Sequence, residues 1–307
     1  MNEIQLSQPQ LSLKDILNKR YTTNGKEFRE TNGKTYQARD EETNQKIMIK
    51  VIKNDDSNED GIQATCLREI AILKTLQHTN IIKMLEYHVG TEGCYIVYEN
   101  CDKTLESYIN TFSDELPLSS IQLISKQLLE ALLYLHSHKI IHRNINPSNI
   151  LFSHSQTIKL SDFSVSRVVS IPMRKYTQEV VKTWYKAPEL LLGKNGYGYG
   201  IDIWAVGCVI AEMILSEPLF MGECKFGQLM KIFRILGTPN ETTWPGISQY
   251  CYFNSQFPQF KENKLAEKVG RSGKDGIDLL NNMLCCYPNK RINAKDALNH
   301  PFITYFN

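Results

Sequence analysis

His142-Arg143-Asn144-Ile145-Asn146-Pro147-Ser148-Asn149 follows directly on a long helical pattern. That helix has an apolar face of Ile121, Ile124, Leu128, Leu132 and Leu135, and Ser119-Ser120 stand where a cap is expected. Asp162-Phe163-Ser164 and then Ala187-Pro188-Glu189 come after the segment. Ahead of it, Ile47-Met48-Ile49-Lys50 lies on a strand pattern and Glu69 on the helix that follows. Each of these signals is weak by itself. Their order and spacing make the argument.

Working outward, residues 1–20 are polar and Gln/Ser-rich and read as a loose N-terminal extension. From Tyr21 to Tyr98 the chain is strand-rich with one helix. Lys46 to Ile52 and Cys94 to Tyr98 are strand patterns, the first half-buried, and Leu67, Ile70, Leu73 and Leu76 repeat at helical spacing over Cys66–Leu76. Asp55 to Asp60 is an acidic loop between them. Beyond Asp102 the pattern is helical, with a strong second helix from Ile201 to Leu215. The outline is α+β: a small β-rich lobe over residues 21–99, a hinge at 100–103 and a larger α-helical lobe over 104–307.

Composition narrows the function. The 307 residues carry 35 Lys plus Arg against 33 Asp plus Glu, a net charge of +2 that gives no footprint for a nucleic-acid partner. The longest apolar run, Ile203 to Ala211, ends at Glu212, well short of the roughly 20 residues a bilayer requires. No signal peptide is expected from residues 1–20. The 8 cysteines include no C-x-x-C and are expected to be buried free thiols in a reducing, cytoplasmic or nuclear, compartment.

The ordered motifs resemble the protein kinase signature set over about Tyr21 to Phe302. Within it the chain is most similar to the cyclin-dependent kinase group. Lys175-Tyr176-Thr177-Gln178-Glu179-Val180-Val181 with Trp184-Tyr185-Lys186-Ala187-Pro188-Glu189 resembles that group's activation segment. Phe233 to Asn240, Trp244-Pro245-Gly246, Pro288-Asn289-Lys290-Arg291-Ile292 and His300-Pro301-Phe302 follow its later stretches. The resemblance implies a bilobal fold, a single kinase domain over residues 21–302, and binding of ATP with Mg²⁺.

Residue by residue, the resemblance implies that Lys50 holds the α- and β-phosphates and pairs with Glu69. Asp162 and Asn149 become the Mg²⁺ ligands, hard oxygen donors of the kind magnesium prefers. Gly33, Met48, Glu99, Cys101 and Leu151 fall at nucleotide-contacting positions, and Tyr98 at the gatekeeper. Thr177 becomes the activation-segment phosphoacceptor, with Arg68, Arg143 and Arg167 gathered around its phosphate. Thr31 remains in the glycine loop as a further control site, whereas the group's inhibitory tyrosine is Asn32.

The departures fall where the chemistry is. The catalytic aspartate, which accepts the substrate proton, is Asn144, and an amide is a negligible base near neutrality. A positioned base is worth about 10² to 10⁴ in rate. The lysine facing the γ-phosphate is Asn146. The glycine loop reads Phe28-Arg29-Glu30-Thr31-Asn32-Gly33, with one of three glycines kept. A carboxylate at Glu30 lying 4 Å from a phosphate would be repelled by roughly 4 kcal/mol at an effective dielectric of 20. Ser164 replaces a glycine, and Met48 and Tyr98 add bulk beside the adenine. ATP and Mg²⁺ are therefore both expected to bind weakly.

The threonine that should bridge to the catalytic loop is Lys182. Two expectations stand for it: its ammonium fills the space vacated at Asn146, or it is a solvated lysine. Gln63-Ala64-Thr65-Cys66-Leu67-Arg68-Glu69 follows the cyclin-recognition helix in its second half and implies a cyclin or cyclin-like partner, in a monomer or heterodimer. Glu189 is expected to pair with Arg291, and Asp202 to anchor the second lobe. A pseudokinase that holds protein partners or substrates is the leading expectation. An active Pro-directed serine/threonine kinase is the alternative, and a metabolic phosphotransferase has no support.

Overall fold

The structure, a computed structural model, describes residues 20–29, 33–53, 63–90, 93–112, 115–153, 157–169, 182–194 and 196–304. The chain divides into two compact units, Met1–Gln77 with Ile82–Cys101, and His78–Ile81 with Asp102–Asn307. The fold is α+β, as expected: a strand-dominated unit followed by a helix-dominated one.

In the first unit β1 (Tyr21–Arg29), β2 (Lys34–Asp40), β3 (Gln45–Lys53), β4 (Met84–Gly90) and β5 (Gly93–Glu99) form one antiparallel sheet in the order β1-β2-β3-β5-β4. β3 is central. Ile47 and Ile49 pack with Tyr21, Ala38, Tyr95 and Val97 on one face. Met48, Lys50 and Ile52 oppose Tyr98, Ile96 and Cys94 on the other. The half-buried strand expected here is in fact buried on both faces, because helix α1 (Ala64–Leu73) covers the second. α1 stops at Leu73 and not at Leu76, where the Thr75 hydroxyl donates to the Ile72 carbonyl and closes the last turn.

In the second unit, α2 (Leu105–Ile109) precedes α3 (Leu118–Ser137), which buries Ile121, Ile124, Leu128, Leu132 and Leu135 on the expected face. The expected serine cap is absent. Pro117 holds the N-cap position, and Ser119 and Ser120 fall inside the first turn. Two small sheets follow. β6 (Lys103–Thr104), β8 (Ile150–Phe152) and β9 (Ile158–Leu160) form one, and β7 (Ile140–Ile141) with β10 (Arg167–Val168) the other. They fix both ends of residues 142–149, which link β7 to β8, and the start of the loop that carries Asp162 after β9. The segment His78–Ile81 belongs here because Asn80 donates to Gln127 Oε1 and to the Ile158 carbonyl. Helices α4 (Pro188–Leu191), α5 (Gly200–Leu215) and α6 (Lys225–Leu236) come next, α5 being buried along almost its whole length. Among the described residues no helix is long and apolar enough to cross a membrane.

Candidate functional site

Lys50 and Glu69 meet inside the first unit. Lys50 Nζ donates to Glu69 Oε2 over 2.9 Å, with both side chains essentially sealed from solvent. The other carboxylate oxygen, Glu69 Oε1, accepts from the Tyr98 hydroxyl at 2.9 Å. Tyr98 thus does more than add bulk: it is a second anchor for Glu69, which sequence reasoning missed. Cys66, one turn before Glu69, is bridged to Cys94 on β5. That bridge corrects the expectation of eight free thiols; the other six cysteines are free. Neither partner of the pair lies in a disulfide motif, so sequence spacing carried no sign of it.

The remaining first-unit positions are ordinary structural residues in part. Gly33 has φ 104°, and a Cβ there would meet the Val51 carbonyl oxygen at 2.6 Å. Glycine is therefore required by the β2–β3 approach, whatever binds nearby. Met48 is buried. The Cys101 carbonyl accepts from Gln37 Nε2, and Glu99 Oε1 accepts from the Lys83 backbone N–H. Arg68 lies on α1, which keeps Leu67 exposed on its surface. Gln63 holds the N-cap of α1 without a side-chain capping bond, its Oε1 accepting from the Thr65 hydroxyl. Glu30, Thr31, Asn32, Thr177 and the rest of residues 170–181 lie outside the described residues, as does the Phe28 side chain.

The second unit assembles Asn144, Asn146, Asn149, Asp162 and Ser164, all buried. The backbone N–H groups of His142 and Arg143 donate to Asp202 Oδ2 and Oδ1 at 2.8 and 2.9 Å, so α5 carries the segment on one carboxylate. Burial alone would raise the Asp202 carboxyl. The His136 ring, the neighbouring His142 ring and the Arg143 N–H outweigh it and hold the group below its ordinary value. Burial likewise pushes the His142 imidazole down, despite Asp202, Asp162 and the Ser161 carbonyl. Arg143 and Asp162 have φ of 72° and 58°, a costly left-handed conformation for residues with a Cβ.

The polar side chains of this loop interlock. Asn146 Nδ2 donates to Asn144 Oδ1 and to the Asn144 carbonyl, each at 3.2 Å. Asn149 Nδ2 donates to the same carbonyl at 2.9 Å. Asn144 Nδ2 donates to Asp162 Oδ2 at 2.7 Å, and Ser164 Oγ to Asp162 Oδ1 at 2.6 Å. Leu151 is buried in β8 beside Thr104. Arg143 Nη1 donates to the Val165 carbonyl and Arg167 Nη1 to that of Ser166, which places two of the three expected arginines on one short stretch.

Lys182 is exposed, as the solvated-lysine expectation had it, and makes its contacts at the surface. Its ammonium donates to Glu106 Oε1 at 3.1 Å and to Ser148 Oγ at 2.8 Å, while Ser148 Oγ donates to Glu106 Oε2. The lysine lines a small cavity with Arg143, Asn144, Asn146 and Tyr185, but Glu106 on α2 offsets its charge.

Magnesium takes near-octahedral oxygen ligands and is held by one or two carboxylates together with phosphate oxygens. Of the candidate ligands here, only Asp162 is a carboxylate, and both of its oxygens already accept from protein donors. The Asn149 amide nitrogen is committed to the Asn144 carbonyl, although its oxygen could still face a cation. Among the described residues no cluster of three His, Cys, Asp or Glu side chains could hold a metal. Both oxygens of the Asp162 carboxylate are thus engaged by protein donors that compete with a divalent cation.

The Lys50–Glu69 pair, the loop borne on Asp202 and the left-handed Arg143 and Asp162 lie on a chain whose residues 29–303 match a family model, that of the protein kinase domain. The match covers nearly all of the described structure, and the chain belongs to the protein kinase family.

Proposed function

We propose that this protein is a pseudokinase, or a strongly impaired serine/threonine kinase, of the cyclin-dependent kinase type, acting as a regulated nucleotide- and partner-binding module. The observation that carries the reading is the direction of the Asn144 hydrogen bond. Its amide nitrogen donates to Asp162, and its oxygen is occupied by Asn146. A general base must offer a free, proton-accepting atom to the substrate hydroxyl. Asn144 offers no charge, and an amide oxygen that already accepts from Asn146 is a negligible base. Lys182 is held at the surface by Glu106 and Ser148.

The buried Lys50–Glu69 pair supports retention of the phosphate-binding lysine in its family role. The second half of α1, with Leu67 exposed beside Arg68 and Glu69, supports a cyclin-like protein partner. Phosphorylation of Thr177, met by Arg68, Arg143 and Arg167, completes the proposal as its regulatory arm.

The alternative is an active Pro-directed kinase. A radiolabelled ATP assay on a Ser-Pro peptide, comparing the parent with the Asn144→Asp, Asn146→Lys double variant, separates the two. We expect the parent to be at least about 10² slower, the low end of what a positioned base contributes. Parent turnover within about tenfold of the variant would falsify the pseudokinase reading.

A further inference from the structure

We infer that Asn144, Asn146 and Ser164 form one hydrogen-bonded device that fills Asp162 from within in place of a divalent cation, so that this chain binds nucleotide without a magnesium requirement. The inference deepens the proposed function and rests on it for the nucleotide. Its structural basis lies entirely within the second unit.

Asp162 is 2% exposed, and a buried carboxylate is costly unless its charge is met. Here each oxygen is met by a separate donor at short range, the Asn144 amide and the Ser164 hydroxyl. Hydrogen bonds to an ionised acceptor are among the strong ones. The Asn144 amide is in turn oriented by Asn146, whose Nδ2 holds the Asn144 oxygen and so leaves the nitrogen end pointing at Asp162. Asn146 is itself fixed, its Oδ1 accepting from the Ser148 N–H. The chain of bonds therefore runs from the Ser148 backbone through two side-chain amides to the carboxylate, with Ser164 closing it from the other side.

Three substitutions that look in the sequence like separate losses thus converge on one carboxylate: Asn144 and Ser164 donate to Asp162, and Asn146 donates to Asn144. A carboxylate at position 144 would stand within hydrogen-bond distance of Asp162, and the two anions would need a cation between them. The amide removes that need and supplies Asp162 with a donor. A glycine at position 164 would leave Asp162 Oδ1 without its hydroxyl donor. Asn146 and Ser164 act as positioning residues for Asp162, and neither is assigned a chemical step.

The test is fluorescent-ATP binding and thermal melting of the full chain, each in EDTA and in excess Mg²⁺, for the parent, for Asn144→Asp/Ser164→Gly, and for Ser164→Gly alone. The parent is expected to bind ATP with dissociation constants within about threefold in the two conditions and to melt at the same temperature. The double variant should bind at least about tenfold tighter with Mg²⁺, and its melting point should rise with Mg²⁺ by at least about 2 °C. Ser164→Gly, which keeps Asn144, should gain a smaller Mg²⁺ preference and serves if the double variant does not fold. If the parent shows no ATP binding in either condition, Mn²⁺ titration followed by electron paramagnetic resonance decides. A parent that leaves Mn²⁺ free while a variant takes it up supports the device, and equal behaviour overturns it.

Tenfold tighter ATP binding by the parent in Mg²⁺, or variants as indifferent as the parent, also overturns the inference. Peptide phosphorylation is scored separately. A parent that needs Mg²⁺ for ATP yet transfers nothing refutes this device and leaves the pseudokinase reading standing. A Mg²⁺-indifferent parent that turns over does the reverse.

Discussion

The Tyr185 hydroxyl donates to Glu212 Oε2 across 2.6 Å, and the carboxyl it meets is pushed up to about 7. Burial is the main cause. The Glu106 charge adds to it, while the Tyr185 bond and Lys182 work against it. Because the folded pKa lies above the ordinary value of 4.5, the folded chain holds this proton more tightly than the unfolded one. Its contribution to stability is complete below pH 4.5 and is lost as pH rises through about 7, by up to about 3 kcal/mol. Glu212→Gln keeps an acceptor for Tyr185 and removes the titration. Urea denaturation between pH 5.5 and 8 should show the parent losing stability with pH and the variant holding level; equal slopes would mean that Glu212 stays ionised in the fold. The motifs that place Tyr185 and Asn144 were readable from spacing. What each side chain bonds to was not: an asparagine in an aspartate's place states the loss of charge, whereas the donor's direction and its Ser164 counterpart emerge only when the loop after β9 folds back beside the loop before β8.

At the scale of elements, α1 is fastened to the sheet at three points: Glu69 to Lys50 of β3, Glu69 to Tyr98 of β5, and Cys66 to Cys94 of β5. Cys94 and Tyr98 lie on the same face of β5, and Cys66 and Glu69 are one helical turn apart, so covalent link and hydrogen bond act along one seam. Closing a loop over a sequence separation of 28 is worth about 3.6 kcal/mol in chain entropy. Cys66→Ser/Cys94→Ser should lower the stability of the first unit by about that much and speed amide exchange across Ala64–Leu73. Alkylation of the unfolded, unreduced chain should label the six free cysteines and spare two. Labelling of all eight would sink the seam. Strand and helix patterns anticipated both elements, and helical spacing anticipated the α1 face. The pairing of one helical turn with one strand residue depends on how the helix lies across the sheet, which no local pattern encodes. The same limit applies to α3, where Pro117 took the cap that Ser119 and Ser120 seemed suited to fill.

Across the whole molecule, the order of motifs was enough to identify the family because each motif is tied to a separate element, and the match to the protein kinase domain runs through residues 29–303, which hold them all. Long-range anchors are the part of such a fold that sequence states most economically. Glu189 and Arg291, 102 residues apart, were expected to pair, and they do. Arg291 Nη1 and Nη2 donate to Glu189 Oε1 and Oε2 at 2.8 and 3.0 Å, a two-pronged bond with both side chains buried. The same guanidinium reaches the carbonyls of Gly200 at 2.8 Å and Cys285 at 3.0 Å and lies over the Trp204 ring. One side chain therefore joins α4, the start of α5 and the segment after α8 (Gly273–Met283, counted after α7 at Leu265–Val269). Lysine carries the charge without the fork and can satisfy only part of this set. Breaking a buried pair from one side leaves an unmet charge and costs about 3–5 kcal/mol. Arg291→Lys should lose most of that in urea denaturation, whereas Arg291→Met combined with Glu189→Leu, which removes both charges at once, should cost distinctly less than Arg291→Met alone. If Arg291→Lys stays within about 0.5 kcal/mol of the parent, the fork geometry is not what holds these elements together, and the second unit must be tied chiefly by the apolar length of α5.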